Sequence, residues 1–188
     1  MIAMLTLPIL CQEGLFELRA SLEDRATAQK NLESVCACFK GEYAFIDYIY
    51  RPWDREINLN EEFIRLRVYQ KTNWAQKNYV LMHKRKEMQG RSSISFFRKE
   101  FESLAEAQNE IDGHYQLLFS FSRNGYEYEL DGMRIFVEDI QGLPATIEVI
   151  AASKEQIMNL LNMLPVTSII ADSVPSLIEN NLKYEQKN

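Results

Sequence analysis

The 188-residue chain is long enough for one domain with a sizeable buried core, and its 46% hydrophobic and 26% charged residues are typical of a globular protein. The formal net charge of -6 argues against general nucleic-acid binding, which needs a basic surface. No apolar run approaches the roughly 20 residues that span a bilayer. No basic region precedes the apolar residues 1–10, so we expect no signal peptide and a cytoplasmic location.

The first half of the chain predicts one helix among several strands. Residues 15–20 alternate between apolar and polar, which is typical of a strand, and a helix is predicted from Ser21 to about Phe39. Cys36 and Cys38 fall in this predicted helix. Because the total of three cysteines is odd, we expect them to be reduced structural thiols. Further strands are predicted at 43–50, 63–69, 78–84 and 95–102, with a turn at 89–93.

The second half carries clearer turn and cap signals. Ser103 and Ser153 each open a capping-box pattern, which predicts helices to about Ile111 and Leu164, and a last helix is predicted over 175–184. Asn124-Gly125 is the strongest hairpin signal, and Asp131-Gly132 is a second one. Strands are predicted at 115–123, 126–130, 133–140 and 145–150.

The predicted elements give an α+β fold in one domain, 1–188. About eight short strands joined by tight turns favour antiparallel pairing. So many strands fit a closed or nearly closed sheet, an eight-stranded antiparallel β-barrel or tunnel with helices packed outside.

Charged residues share one face on many of these strands, because side chains two positions apart point to the same side. In the better strands the opposite face is apolar. The charged positions are Glu17, Arg19, Arg65, Arg67, Lys84, Lys86, Arg98, Glu100, Glu102, Arg123, Glu127, Glu129, Glu138 and Glu148. Two interpretations stay open: the charges face solvent, or they line the inside of the barrel. A charged interior would hold a ligand, since arginine and lysine bind phosphate oxygens and carboxylates bind Mg²⁺ or Mn²⁺.

The order of these motifs resembles that of the CYTH or triphosphate-tunnel group, which includes class IV adenylate cyclases, thiamine triphosphatases and inorganic triphosphatases. Arg98-Lys99-Glu100-Phe101-Glu102 matches the group's Arg-x-Glu-x-Glu strand in full. Weaker matches are Glu17 with Arg19, the Asp47-Tyr48 pair, Arg65 with Arg67, Lys84, Arg123 with Tyr126, Glu138 before Gly142-Leu143, and Glu148.

The resemblance implies a triphosphate lying across a tunnel. The phosphate-binding residues that it implies are Arg19, Arg65, Arg67, Lys84, Arg98 and Arg123. The implied ligands of Mg²⁺ or Mn²⁺ are Glu17, Glu100, Glu102, Glu138 and Glu148. Leu15, Phe121 and Ile150 each stand where the group has a charged residue, and two of the three replace carboxylates.

We therefore expect metal-dependent processing of a triphosphate, by hydrolysis or by cyclisation of ATP. The alternative is a catalytically impaired module that binds a polyphosphate, a nucleotide or another anion without turnover. A plain interaction domain with solvated charged faces is the third possibility. The expected partner is a small triphosphate or nucleotide, with no nucleic acid and no membrane, and a homodimer is possible by resemblance.

Overall fold

The computed structural model describes residues 15–71, 78–85 and 94–185. Its strands are β1 (Phe16–Leu22), β2 (Cys38–Pro52), β3 (Glu62–Lys71), β4 (Tyr79–Arg85), β5 (Ile94–Phe101), β6 (Tyr115–Leu130), β7 (Met133–Ile140), β8 (Thr146–Ala151) and β9 (Val166–Ile170). Its helices are α1 (Arg25–Ser34), α2 (Leu104–Ile111), α3 (Lys154–Leu161) and α4 (Val174–Glu185). The predicted turn at 89–93 lies outside the described residues.

The nine strands form one sheet in the order β5-β4-β3-β2-β6-β7-β8-β1-β9, and its pairings are antiparallel. The predicted α+β class and antiparallel pairing are therefore confirmed. Closure of the sheet is not, because no ladder of hydrogen bonds joins β5 to β9 within the described ranges. The sheet instead curls, so that side chains of β1 and β4 line one cavity although five strands lie between them in the sheet.

The Asn124-Gly125 hairpin is wrong, because β6 runs unbroken through both residues from Tyr115 to Leu130. A side chain at Gly125 would lie 2.6 Å from the carbonyl oxygen of Val137 and 2.8 Å from the Tyr43 hydroxyl. Glycine is needed there for a close approach inside the sheet, not for a turn. The true hairpin is Asp131-Gly132, where both residues have positive φ and Leu130 pairs with Met133.

The predicted elements differ from the structure in two further places. The first helix stops at Ser34 instead of running to about Phe39, and Cys36 and Cys38 lie beyond it, exposed. Strand β9 has no counterpart among the predicted elements, since Val166–Ile170 was too short to stand out. By contrast, the two capping boxes are confirmed, because Ser103 and Ser153 accept hydrogen bonds from the backbone N–H groups of Glu106 and Gln156.

The main core lies between the outer face of β1, β7 and β8 and the helices α1 and α3. Leu32 of α1 and Ile157 and Leu160 of α3 are fully buried against Ile135 and Ile147 of the sheet. Burying apolar residues on this face leaves the opposite face of the same strands for the charged side chains. Among the described residues, no helix is long and apolar enough to cross a membrane.

Candidate functional site

The charged side chains gather on the concave face of the sheet, around a cavity of about 320 Å³. Strand alternation places them there, because their neighbours in sequence pack into the apolar layer behind. The charged residues that line the cavity are Glu17, Arg19, Asp47, Glu61, Arg65, Lys84, Arg123, Glu148 and Asp172. Arg65 and Arg123 are only 8% and 7% exposed, so the fully solvated interpretation of these faces does not hold for the residues at the centre.

One end of the cavity is built around a single arginine. Arg19 on β1 lies opposite Glu148 on β8, and its guanidinium donates to both Glu148 and Glu138 and, at 3.0 Å, to Thr146. Burial alone would raise the pKa of Glu148, but the attraction of Arg19 outweighs it and holds that pKa low. Glu138 also accepts a hydrogen bond of 2.7 Å from the Tyr43 hydroxyl. We name Arg19, Glu17, Glu138 and Glu148 the acidic cluster.

Glu17 is the member of the acidic cluster that lacks a strong cation. It lies two residues before Arg19 on the same face of β1, close to Glu148. Burial and the neighbouring Glu148 raise the pKa of Glu17 to about 8, because two carboxylates cannot both ionise cheaply at close range. At neutral pH this pair therefore holds a proton.

The other end of the cavity reverses this arrangement, with one carboxylate among several arginines. Asp47 on β2 is 1% exposed and accepts two hydrogen bonds from Arg67 on β3, at 2.8 and 2.9 Å. Burial opposes ionisation of Asp47, yet the charges of Arg67 and Arg65 hold its pKa well below the usual range. The Arg67 guanidinium also lies 3.5 Å from the centre of the Phe45 ring, in cation–π contact. We name Asp47, Arg65, Arg67, Arg123 and Lys84 the basic cluster.

Three cations of the basic cluster have unused hydrogen-bonding capacity. The Nε atoms of Arg65 and Arg123 lie 3.7 and 3.9 Å from Asp47, too far for a hydrogen bond, and neither has a partner. Lys84 forms no ion pair with any residue of the described ranges. Burial and the charge of Arg67 lower the pKa of Arg65 to about 10, and burial and Arg65 lower that of Lys84. Buried cations in this state are prepared to accept an anion.

The remaining predicted site residues lie apart from these clusters. Arg98 on β5 pairs with Glu100 of the same strand at 2.7 Å, and Glu102 follows the strand end in an exposed position. The two clusters thus bring together five of the six predicted phosphate-binding residues and three of the five predicted carboxylates, although Arg67 and Glu138 do not line the cavity itself. Phe121, at a position where the resemblance implies a charge, lines the cavity with its ring.

Two parts of this site carry no local signal in the sequence. Asp47 matches a motif of the resemblance, but a single aspartate in an aromatic strand does not indicate that arginines surround it. The rim formed by Asn60 and Ser173 matches no motif. Asn60 donates to Asp172 at 3.0 Å and accepts from the Ser173 backbone at 2.7 Å, which ties the β2–β3 loop to the start of α4. These residues are 113 positions apart in sequence, so no local pattern predicts the contact.

The carboxylates of the cavity offer a limited set of ligands for a divalent cation. No group of three His, Cys, Asp or Glu side chains among the described residues is arranged to hold a metal. The Glu17–Glu148 pair still fits Mg²⁺, which proteins commonly bind through one or two carboxylates while substrate phosphates and waters complete the shell. A cation at this pair would relieve the repulsion that now retains a proton on Glu17.

Several solved structures have a fold similar to that of this chain. A protein from Pyrococcus horikoshii OT3 superposes with a TM-score of 0.76 at 16% identity, covering 88% of this chain and 98% of that one. A "putative adenylate cyclase" from Vibrio parahaemolyticus gives 0.69 at 11% identity, covering 88% and 97%. A "putative adenylyl cyclase" from Hippeastrum, described as having a dominant triphosphatase activity, gives 0.56 at 12% identity, covering 79% and 84%.

These neighbours confirm the resemblance at the level of the fold. No protein-family model matches the sequence, and the search of curated proteins finds no match.

Proposed function

We propose that this chain, which has the fold of structures named as adenylate cyclases, binds a triphosphate in its charged cavity and processes it with the help of a divalent cation. The observation that carries the proposal is a set of three cations that lack full anionic partners, the buried Arg65 and Arg123 and the half-buried Lys84. Such cations are costly to bury unless a ligand supplies the missing charge.

The charge balance of the two clusters supports a polyanion bound together with a metal. Five cations, Arg19, Arg65, Arg67, Lys84 and Arg123, face four carboxyl groups, Glu17, Asp47, Glu138 and Glu148. The net charge is therefore about +2 while Glu17 keeps its proton and about +1 when it is ionised. A free triphosphate carries roughly twice the larger value in negative charge at neutral pH, so a divalent cation would bring ligand and protein close to neutrality.

The two clusters would divide the work. Arg65, Arg123 and Lys84 would orient the phosphate chain, with the arginines able to bind oxygens bidentately. Arg67 and Asp47 would hold those arginines in place. Glu17 and Glu148 would bind the cation, which in phosphoryl transfer neutralises developing charge and activates the attacking oxygen. Arg19 would keep Glu148 ionised and aligned.

The test is turnover by the purified protein with Mg²⁺ or Mn²⁺, using inorganic triphosphate and ATP and measuring released phosphate and cyclic nucleotide. Arg65→Met should abolish most activity, whereas Lys99→Met should leave it unchanged, because Lys99 is exposed and pairs with Glu110 at 2.5 Å. Absence of both products under all these conditions would remove the enzymatic proposal. Released phosphate would indicate hydrolysis, and cyclic nucleotide would indicate cyclisation.

A second candidate function is anion binding without turnover. It is favoured because Arg19 is already paired with carboxylates of the protein. This arginine already binds both Glu138 and Glu148, and Leu15 and Ile150 replace carboxylates that the resemblance implies. Calorimetric titration with triphosphate in Mg²⁺ and in EDTA distinguishes the two. Equal affinity in both buffers, with no turnover, would support binding alone, and a tighter complex in Mg²⁺ would support the metal-assisted proposal.

A further inference from the structure

Two cysteines outside the cavity lie together at the turn from α1 to β2. Cys36 follows the last residues of α1, Cys38 is the first residue of β2, and both thiols are free and exposed. Ala37 between them packs against the main hydrophobic core. With one residue between them, the Cα atoms of Cys36 and Cys38 are at most about 7 Å apart, close to the span that a disulfide bridges. Both side chains are exposed to solvent.

The backbone at Cys36 departs from what its side chain prefers. Its φ is +61°, in the left-handed region. This position ends the helix, with the Cys36 N–H donating to Glu33 and the Ala37 N–H donating to Leu32, both at 3.0 Å. Glycine is the usual residue there because it has no Cβ. The Cys36 side chain is exposed, so apolar packing does not offset the unfavourable conformation, and a strained, exposed residue is a reason to look for chemistry.

The surroundings leave both sulfurs accessible. Cys38 lies opposite Glu129 on β6, and that carboxylate is occupied by Lys40 at 2.8 Å. Among the hydrogen bonds within the described part of the chain, the sulfur atoms of these two residues make a single weak one of 3.9 Å, from the Cys38 thiol to the Phe39 carbonyl. Neither thiol is committed to a packing role or to a strong hydrogen bond. Accessible thiols of this kind react with oxidants, whereas buried structural ones do not.

We propose that Cys36 and Cys38 are a redox-modification site that forms a reversible intramolecular disulfide. A small-molecule disulfide such as oxidised glutathione is the oxidant. One thiolate attacks it and releases one thiol, giving a mixed disulfide, and the second cysteine then attacks that mixed disulfide and releases the other thiol. The protein loses two protons and two electrons, which the small disulfide takes up as it becomes two thiols.

The experiment uses the full-length protein carrying Cys11→Ser, so that only the pair at the turn can react. It is incubated with oxidised glutathione, quenched with N-ethylmaleimide and weighed intact by mass spectrometry. We expect a product that is lighter than the reduced protein by two hydrogen atoms, that takes up no maleimide, and that regains two alkylation sites after dithiothreitol. The added variants Cys36→Ser and Cys38→Ser should each stop at one mixed disulfide.

Cys36→Gly provides the matched control, because glycine suits the backbone at this position and the fold is retained. It should behave as Cys36→Ser does, with one adduct at Cys38. Two mixed disulfides on the Cys11→Ser protein, or two thiols that stay reduced at an excess of oxidised glutathione, would overturn the proposal. The result does not depend on triphosphate turnover, so it and the proposed function fail or succeed separately.

Discussion

The two ends of the cavity are built on opposite plans. In the acidic cluster one arginine, Arg19, pairs with carboxylates on two other strands, whereas in the basic cluster one carboxylate, Asp47, faces three arginines. The first leaves a carboxylate pair with a shared proton, and the second leaves guanidinium nitrogens without acceptors. One end is thus short of cations and the other short of anions, which are the two components of a metal–polyphosphate complex.

The two clusters share charged and hydrogen-bonding residues, so a change in one should affect the other. Arg123 lies 3.5 Å from Glu138 and 3.9 Å from Asp47 and so belongs electrostatically to both. The Tyr43 hydroxyl donates to Glu138 from the strand that also carries Asp47. Five variants test the difference between the two ends.

Removing the central carboxylate should have the largest effect. Asp47→Ala leaves Arg65, Arg67 and Arg123 buried without their shared anion, and breaking a buried ion pair in this way costs about 3–5 kcal/mol. We expect the free energy of unfolding, measured by urea denaturation, to fall by that amount. Asp54→Ala, on an exposed loop, is the control and should change little. Equal stability of the two variants would show that the basic cluster does not need Asp47.

Arg65→Met should separate stability from binding. Because Arg65 is buried with an unsatisfied Nε, replacing it with an apolar side chain should leave the free energy of unfolding unchanged or raise it. Triphosphate affinity should fall roughly 10- to 150-fold, since a hydrogen bond to a charged group contributes about 1.5–3 kcal/mol. Arg19→Met should instead destabilise the fold, because Glu148 loses its ion-pair partner and Glu138 keeps only Arg123 and Tyr43. Similar loss of stability in both variants would contradict the contrast between the clusters.

Gly125→Ala tests the link between the clusters. The added methyl group would collide with the Val137 carbonyl and the Tyr43 hydroxyl, and the carbonyl belongs to a paired strand that cannot move cheaply. Overpacking of this kind costs about 1–3 kcal/mol, and it should displace Tyr43 from Glu138. Thermal denaturation measures the loss. Ser122→Ala, at an exposed position of the same strand as Gly125, is the control and should change the melting temperature little.

The acidic cluster predicts a dependence of stability on pH. The pKa of Glu17 is about 8 in the folded protein, above the ordinary value of a glutamate, so the native state holds a proton that the unfolded chain has lost. Its contribution to stability is therefore greatest below the unfolded pKa and is lost as pH rises toward 8, by at most about 1.4 kcal/mol per pH unit. Urea midpoints measured at about pH 5.5, 6.5 and 7.5 should fall from each pH to the next in the wild type. They should fall less in Glu17→Gln, which has no carboxyl group to titrate at this position.

Local signals predicted most of the fold. Strand patterns located eight of the nine strands, although β6 was divided into two, and the serine caps located the starts of α2 and α3, because these signals act between residues close in sequence. The failures occurred where a distant contact overrides a local preference. Asn124-Gly125 stays in a strand because Tyr43, some 80 positions earlier, packs over the glycine, and β9 exists only because β1 offers it a pairing edge.

By itself, the sequence determined which charged residues share a strand face, because the two-residue period of a strand follows from its backbone alone. Only the tertiary structure decided that this face is concave and buried, and which charges neutralise one another. Arg19 meets Glu138 across 119 positions, and Asp47 meets its arginines on two different strands. The curl of the sheet sets these distances, and with them the difference between a cation that is satisfied and one that still needs an anion.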